Sequence, residues 1–216
     1  MVSSHEIESG HRSQSAAVAP DAGVALGEDE WRANTYALLG ALLAAPPSAQ
    51  LLELLQTIDG TSGRQGDMGD AWRMLKLAAR DSAPSAVDDE YHDLFIGLGQ
   101  GELVPYGSWY MTGSLMDRPL VYLRRDLAQL GIERQAEVHE PEDHASALCE
   151  AMHVIVTAPD IPREWQRRFF REHVTPWMGL FFQDLQQARS ACFYIAVGRL
   201  GESFMNLENR YLDMPA

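Results

Sequence analysis

The chain has 216 residues, 46% of them apolar and 22% charged, which is ordinary globular usage and enough for one sizeable domain. Thirty-one Asp and Glu against 17 Lys and Arg leave a formal charge of −14, which argues against a nucleic-acid-binding surface and favours positively charged partners. Lys76 is the only lysine and two cysteines cannot form a framework of bridges, so neither Schiff-base chemistry nor an oxidising compartment is called for.

Residues 1–27 are rich in Ser, Ala, Gly and Pro without periodicity and read as a mobile tail. They lack a basic segment followed by an apolar run, so they do not resemble a secretory signal, and the simplest location is the cytoplasm. The longest apolar stretch, Ala37 to Ala45, falls well short of the roughly 18 residues of a membrane span, which argues against stable membrane insertion.

From residue 28 the period is helical. Trp31, Leu38, Leu39, Leu42 and Leu43 share a face opened by Glu28, Asp29 and Glu30. Ser48 caps a helix carrying Leu51, Leu52, Leu55 and Ile58, and a polar loop runs to about residue 69. Trp72, Leu75 and Ala79 mark the third helix; Val87, Tyr91, Leu94, Phe95 and Leu98 mark the fourth. Residues 97–113 are too rich in Gly and Pro for regular structure. Asp117 and Pro119 start a fifth helix that Gly131 ends. Pro141 opens the next, with Glu142 and Asp143 in its first turn and Leu148, Cys149, Met152 and Val156 inward. Pro162 and Pro176 introduce two more, the second carrying Trp177, Leu180, Phe181 and Leu185. A long helix follows Ser190. No segment alternates with period two, so the expectation is a single all-α globular domain over 28–216 of roughly nine helices.

The chemistry-bearing patterns are weaker than they look. Gly97, Gly99 and Gly101 follow a helix rather than a strand and lack a neighbouring Lys, so they read as a tight loop, not a phosphate cradle. His139 and His144 are five apart with Pro141 between them, the wrong spacing for two metal ligands on one helix. Glu150 and His153 have di-iron spacing but lie off the apolar stripe. Cys149 falls on that stripe and reads as a core thiol. Two acidic groups, one of Asp88, Asp89, Glu90 and Asp93 and one of Glu133, Glu137, Glu140, Glu142 and Asp143, read as solvated faces or as partners for cations.

Two motifs stand out together. Tyr91-x-x-Leu94-Phe95-x-Gly97-x-Gly99 continues into Pro105-Tyr106-Gly107-Ser108-Trp109-Tyr110, and Glu140-Pro141-x-Asp143-His144 follows about 30 residues later. In this order, on an acidic helical chain, they resemble the TorD/DmsD family of redox-enzyme maturation chaperones over approximately residues 28–210. The resemblance implies a cytoplasmic, all-helical chaperone with no catalytic residues, cofactor or metal of its own. It implies binding to the twin-arginine signal peptide and body of a molybdopterin-enzyme precursor until the cofactor is inserted, and it admits a homodimer. Carried over by residue, it assigns Leu94, Phe95, Pro105, Tyr106, Ser108, Trp109, Tyr110, Glu140, Pro141, Asp143 and His144 to peptide binding. The charge pattern is compatible: two guanidinium groups followed by an apolar stretch need carboxylates beside an apolar groove. The rival expectation is a helical metal-dependent enzyme using Glu140, Asp143 and His144.

Overall fold

The computed structural model describes residues 27–58, 66–97, 101–134 and 140–214, and within them the chain folds into ten α-helices. Ser48 accepts the N–H of Leu51 to start α2 (Ala49–Thr57), which follows α1 (Glu28–Ala44). After α3 (Asp67–Asp81), Pro84 opens α4 (Pro84–Tyr91), which runs into a π turn over His92–Ile96. A short α5 (Gly107–Thr112) precedes α6 (Arg118–Gln129), whose cap is the Asp117 carboxylate. Then come α7 (Ala145–Thr157), α8 (Arg163–Phe169) with a π turn over Phe170–Val174, α9 (Met178–Gln187) and α10 (Phe193–Asp213). Among the described residues the only β feature is a bridge between Tyr106 and His144, and no helix is long and apolar enough to cross a membrane.

One core unites the helices. α1 packs along α7, and α10 packs along α9 and α3. Tyr36, Leu39 and Leu42 of α1 meet Phe193, Val197 and Phe204 of α10 and Phe181 and Phe182 of α9 in a fully buried set. A Cβ at Gly201 would stand 2.3 Å from the Phe182 ring, so glycine is what lets α9 and α10 approach this closely. Inside this apolar mass sits an ion pair. Arg32 donates from Nε and Nη2 to the two Glu208 carboxylate oxygens at 2.7 and 2.9 Å, and the Tyr36 hydroxyl donates to Glu208 at 3.0 Å. The pair ties the first helix to the last.

Four expectations change. Residues 97–113 are not wholly irregular, because α5 forms inside them, capped by a carboxylate distant in sequence. Pro141 does not open a helix; it begins a turn in which the His144 N–H reaches the Pro141 carbonyl, and α7 starts at Ala145 with His144 as its cap. Leu180 is 56% exposed rather than inward. Glu90 is buried, not part of a solvated acidic face: its carboxylate accepts the N–H groups of Cys192, Phe193 and Tyr194 and caps α10. The tail expected over residues 1–27 lies, Gly27 excepted, outside the described residues, as do Leu98, Gly99 and His139.

Glu208→Gln leaves buried Arg32 with the exposed Asp29 as its remaining anionic partner and is expected to lower stability by up to about 3 kcal/mol in urea unfolding. Replacing both partners by apolar residues of similar volume should cost much less, since no buried charge is then left alone.

Candidate functional site

The two sequence motifs meet at the Tyr106–His144 bridge. The Gly107 N–H donates to the Asp143 carbonyl at 2.8 Å and the Ala145 N–H to the Pro105 carbonyl at 2.9 Å. The Asp143 side chain completes the clasp: its Oδ2 accepts from the Ser108 N–H at 2.8 Å and from the Ser108 hydroxyl. Asp143 therefore satisfies the free N–H groups at the start of α5, not those of α7. Oδ1 of the same carboxylate is buried without a partner. Trp177 lies beneath, where a Cβ on Gly107 would stand 3.0 Å from its indole nitrogen, so Gly107 permits the clasp to close.

Above this backbone joint stands a ridge of aromatics. The Tyr106 ring meets His144 edge-on at 5.0 Å, and its hydroxyl donates to the exposed Glu140 carboxylate. Trp109 is 41% exposed. Tyr110 packs on Trp177 at 5.5 Å and donates to the exposed carboxylate of Asp184 at 2.9 Å. Burial, then the carboxylate partner, raises the pKa of both tyrosines, so each hydroxyl remains a donor. Beside the ridge, Glu142 is held below the ordinary carboxylate range: partial burial opposes this, but Arg124 at 2.7 Å outweighs it.

The structure sorts the expected residues into two layers. Trp109 and Glu140 are exposed, and Tyr106, Tyr110, Pro141 and Phe95 are half-buried, Phe95 among Tyr91, Tyr194 and Phe181. Leu94, Pro105, Ser108, Asp143 and His144 are buried, and of these Ser108, Asp143 and His144 join the backbone beneath the aromatics. Glu140, Asp143 and His144 hold Tyr106, Ser108 and Ser146 respectively, three separate tasks rather than one metal cage. Among the described residues, the ligand-type side chains that do converge are Asp126, Glu172 and His173, and there Arg125 and Arg168 already neutralise the carboxylates. Asp184 and Trp177 escape sequence reasoning because nothing local marks them; their partners Tyr110 and Gly107 are some seventy positions away.

Residues 63–183 match the family model described as nitrate reductase delta subunit. The chaperone protein TorD of Aliivibrio fischeri is 25% identical over 205 residues, spanning 85% of this chain and 95% of that protein. A protein of Haemophilus influenzae named "Probable Tat proofreading chaperone DmsD" is 30% identical over 117 residues, 53% of this chain and 56% of its own. The fold resembles the crystal structure described as a redox enzyme maturation protein from Archaeoglobus fulgidus, with a TM-score of 0.52 and 15% identity over 87% of this chain and 99% of that one.

Asp143→Ala should cost about 1–3 kcal/mol by orphaning the Ser108 donors, and hydrogen exchange should quicken at Gly107 and Ser108. His144 titrates below its ordinary value of 6.5 because burial disfavours the imidazolium, although Glu140 and Asp143 pull the other way. The neutral ring, whose Nδ1 accepts the Ser146 N–H at 3.2 Å, is thus the folded form. Its contribution to stability is fully present above pH 6.5 and declines as pH falls below that value. Thermal melts across this window should show the decline, and His144→Asn, which keeps a capping oxygen, should flatten it.

Proposed function

The chain belongs to the TorD/DmsD family of redox-enzyme maturation chaperones, and from that premise we propose that it binds the twin-arginine signal peptide of a molybdopterin-enzyme precursor in the cytoplasm and retains the precursor until its cofactor is inserted. The observation that carries this reading is the aromatic ridge Tyr106–Trp109–Tyr110 with an exposed carboxylate hydrogen-bonded at each side, Glu140 to Tyr106 and Asp184 to Tyr110. Two guanidinium groups find two carboxylates there, and the apolar segment that follows them finds ring faces.

The chemistry required is recognition alone. Each tyrosine hydroxyl holds its carboxylate in place, so little side-chain entropy is lost when an arginine arrives. The clasp below fixes the ridge before any peptide binds. A net charge of −14 draws a cationic segment toward the protein and makes its association rate fall with added salt. Pro105, Ser108, Asp143 and His144 support the ridge from beneath, while Phe95 and Pro141 are half-buried and Leu94 is buried.

The test is titration of a labelled twin-arginine peptide by fluorescence anisotropy. Trp109→Ala should weaken binding by at least about 2 kcal/mol, roughly thirtyfold, without lowering the melting temperature. Glu140→Gln with Asp184→Asn should weaken it too, and most of the preference over a peptide with the arginines replaced by Gln should vanish. Wild-type affinity in all these variants would remove the ridge from the binding site.

A further inference from the structure

Beneath the ridge lies a platform of two rings. Tyr110 packs on Trp177 at 5.5 Å and on Phe181 at 6.1 Å, and those two rings lie 6.0 Å apart. Trp177 is buried. It also fills the space that a Cβ at Gly107 would need, so it sits under both Tyr110 and the start of α5. A ring holds its neighbour in a defined packing only where its own orientation is fixed. The Trp177 indole is fixed by its N–H, which donates to the His173 carbonyl at 2.9 Å.

His173 belongs to the π turn that follows α8. There the Thr175 N–H reaches past the α-helical partner to the Phe170 carbonyl at 2.9 Å. Such turns hold one residue more than an α turn, are uncommon, and concentrate at functional sites. Return to the α register would carry the following residues round by about 100° and part the His173 carbonyl from Trp177. Side chains hold the turn open. Phe170 and Val174 are fully buried, and the His173 ring meets Phe169 edge-on at 4.9 Å. His173 Nε2 donates to Asp126 Oδ2 of α6 at 2.9 Å, and both groups are buried. Arg125 and Arg168 meet the other Asp126 oxygen at 3.1 and 3.5 Å, and Glu172 is tied to Arg168. Burial opposes ionisation of Asp126, but the bonds from His173 and Arg125 outweigh it and hold the carboxyl below the ordinary carboxylate range.

On the reading that the ridge receives the signal peptide, we propose that His173 is a positioning residue of that site: gripped by Asp126, it sets through its own carbonyl the indole on which Tyr110 and Gly107 rest. Its hydrogen bonds and ring contact run to Asp126, Trp177 and Phe169, so its effect on the ridge passes through Trp177. A packed aromatic platform has discrete arrangements rather than graded ones, which lets one buried hydrogen bond select among them. The earlier π turn points the same way. Its Phe95 reaches Phe181 at 6.5 Å, so both π turns among the described residues serve the platform under Tyr110, one through Phe95 and one through Trp177. The coupling is reciprocal: whatever the platform contributes to peptide affinity, bound peptide returns as protection of Trp177.

The probe is the labelled twin-arginine peptide, with its arginine-to-Gln counterpart as control, titrated against the full chain and followed by anisotropy and by NMR of the indole N–H groups. Trp177→Phe identifies the Trp177 signal. In the wild type, saturating peptide is expected to slow solvent exchange of that N–H by at least about threefold, and the control at the same concentration should leave it unchanged. His173→Met fills the volume but offers no N–H to Asp126; it should weaken the peptide about tenfold and shift the Trp177 signal. His173→Gln, whose amide N–H reaches toward Asp126, should restore affinity to within about threefold of wild type. A role in stability alone would make affinity indifferent to which of the two is present. Unchanged Trp177 exchange in the peptide-saturated wild type, wild-type affinity in His173→Met, or equal losses in His173→Met and His173→Gln overturns the proposal. Any of these beside a loss of binding in Trp109→Ala leaves the ridge as the peptide's seat and removes only His173; a wild type that binds no twin-arginine peptide removes both.

Discussion

Everything on the proposed binding face depends on one carboxylate. Asp143 accepts the Ser108 N–H and hydroxyl, and the backbone around it pairs with residues 105–107. Without that acceptor the six residues of α5 would lack the means to start a helix, since so short a segment cannot offset the entropy of its own nucleation. With it, Tyr106, Trp109 and Tyr110 are held at fixed spacing. A recognition surface made of aromatics loses affinity if its rings must be ordered on binding, so anchoring the backbone from below is as consequential as the rings themselves.

The same device recurs through the fold. Glu90 caps α10 from α4, Glu102 accepts the N–H groups of Arg189 and Ser190, and Asp126 joins α6 to the π turn through His173. Glu90 and Glu102 span many positions of sequence to satisfy backbone donors that a helix or turn leaves free, whereas Asp126 takes the side chain of His173. Part of the acidic composition is thus consumed in holding helices in register. What remains outside gives the surface its charge.

Sequence by itself determined the all-helical class, most helix positions and the family, because apolar periodicity, a capping Ser and most Pro starts and Gly ends are local signals. It also placed the two motifs that build the ridge. It assigned Glu142 and Asp143 to the start of a helix at Pro141, since an acidic first turn after proline fits that reading locally. Only the tertiary structure decided otherwise: Asp143 finds better donors 35 positions earlier, and His144 caps the helix in its stead. Burial likewise divided the motif residues into those that touch solvent and those that hold them there. Periodicity reports which face of a helix turns inward, but not which distant backbone N–H a carboxylate will reach, and that choice belongs to the packed chain.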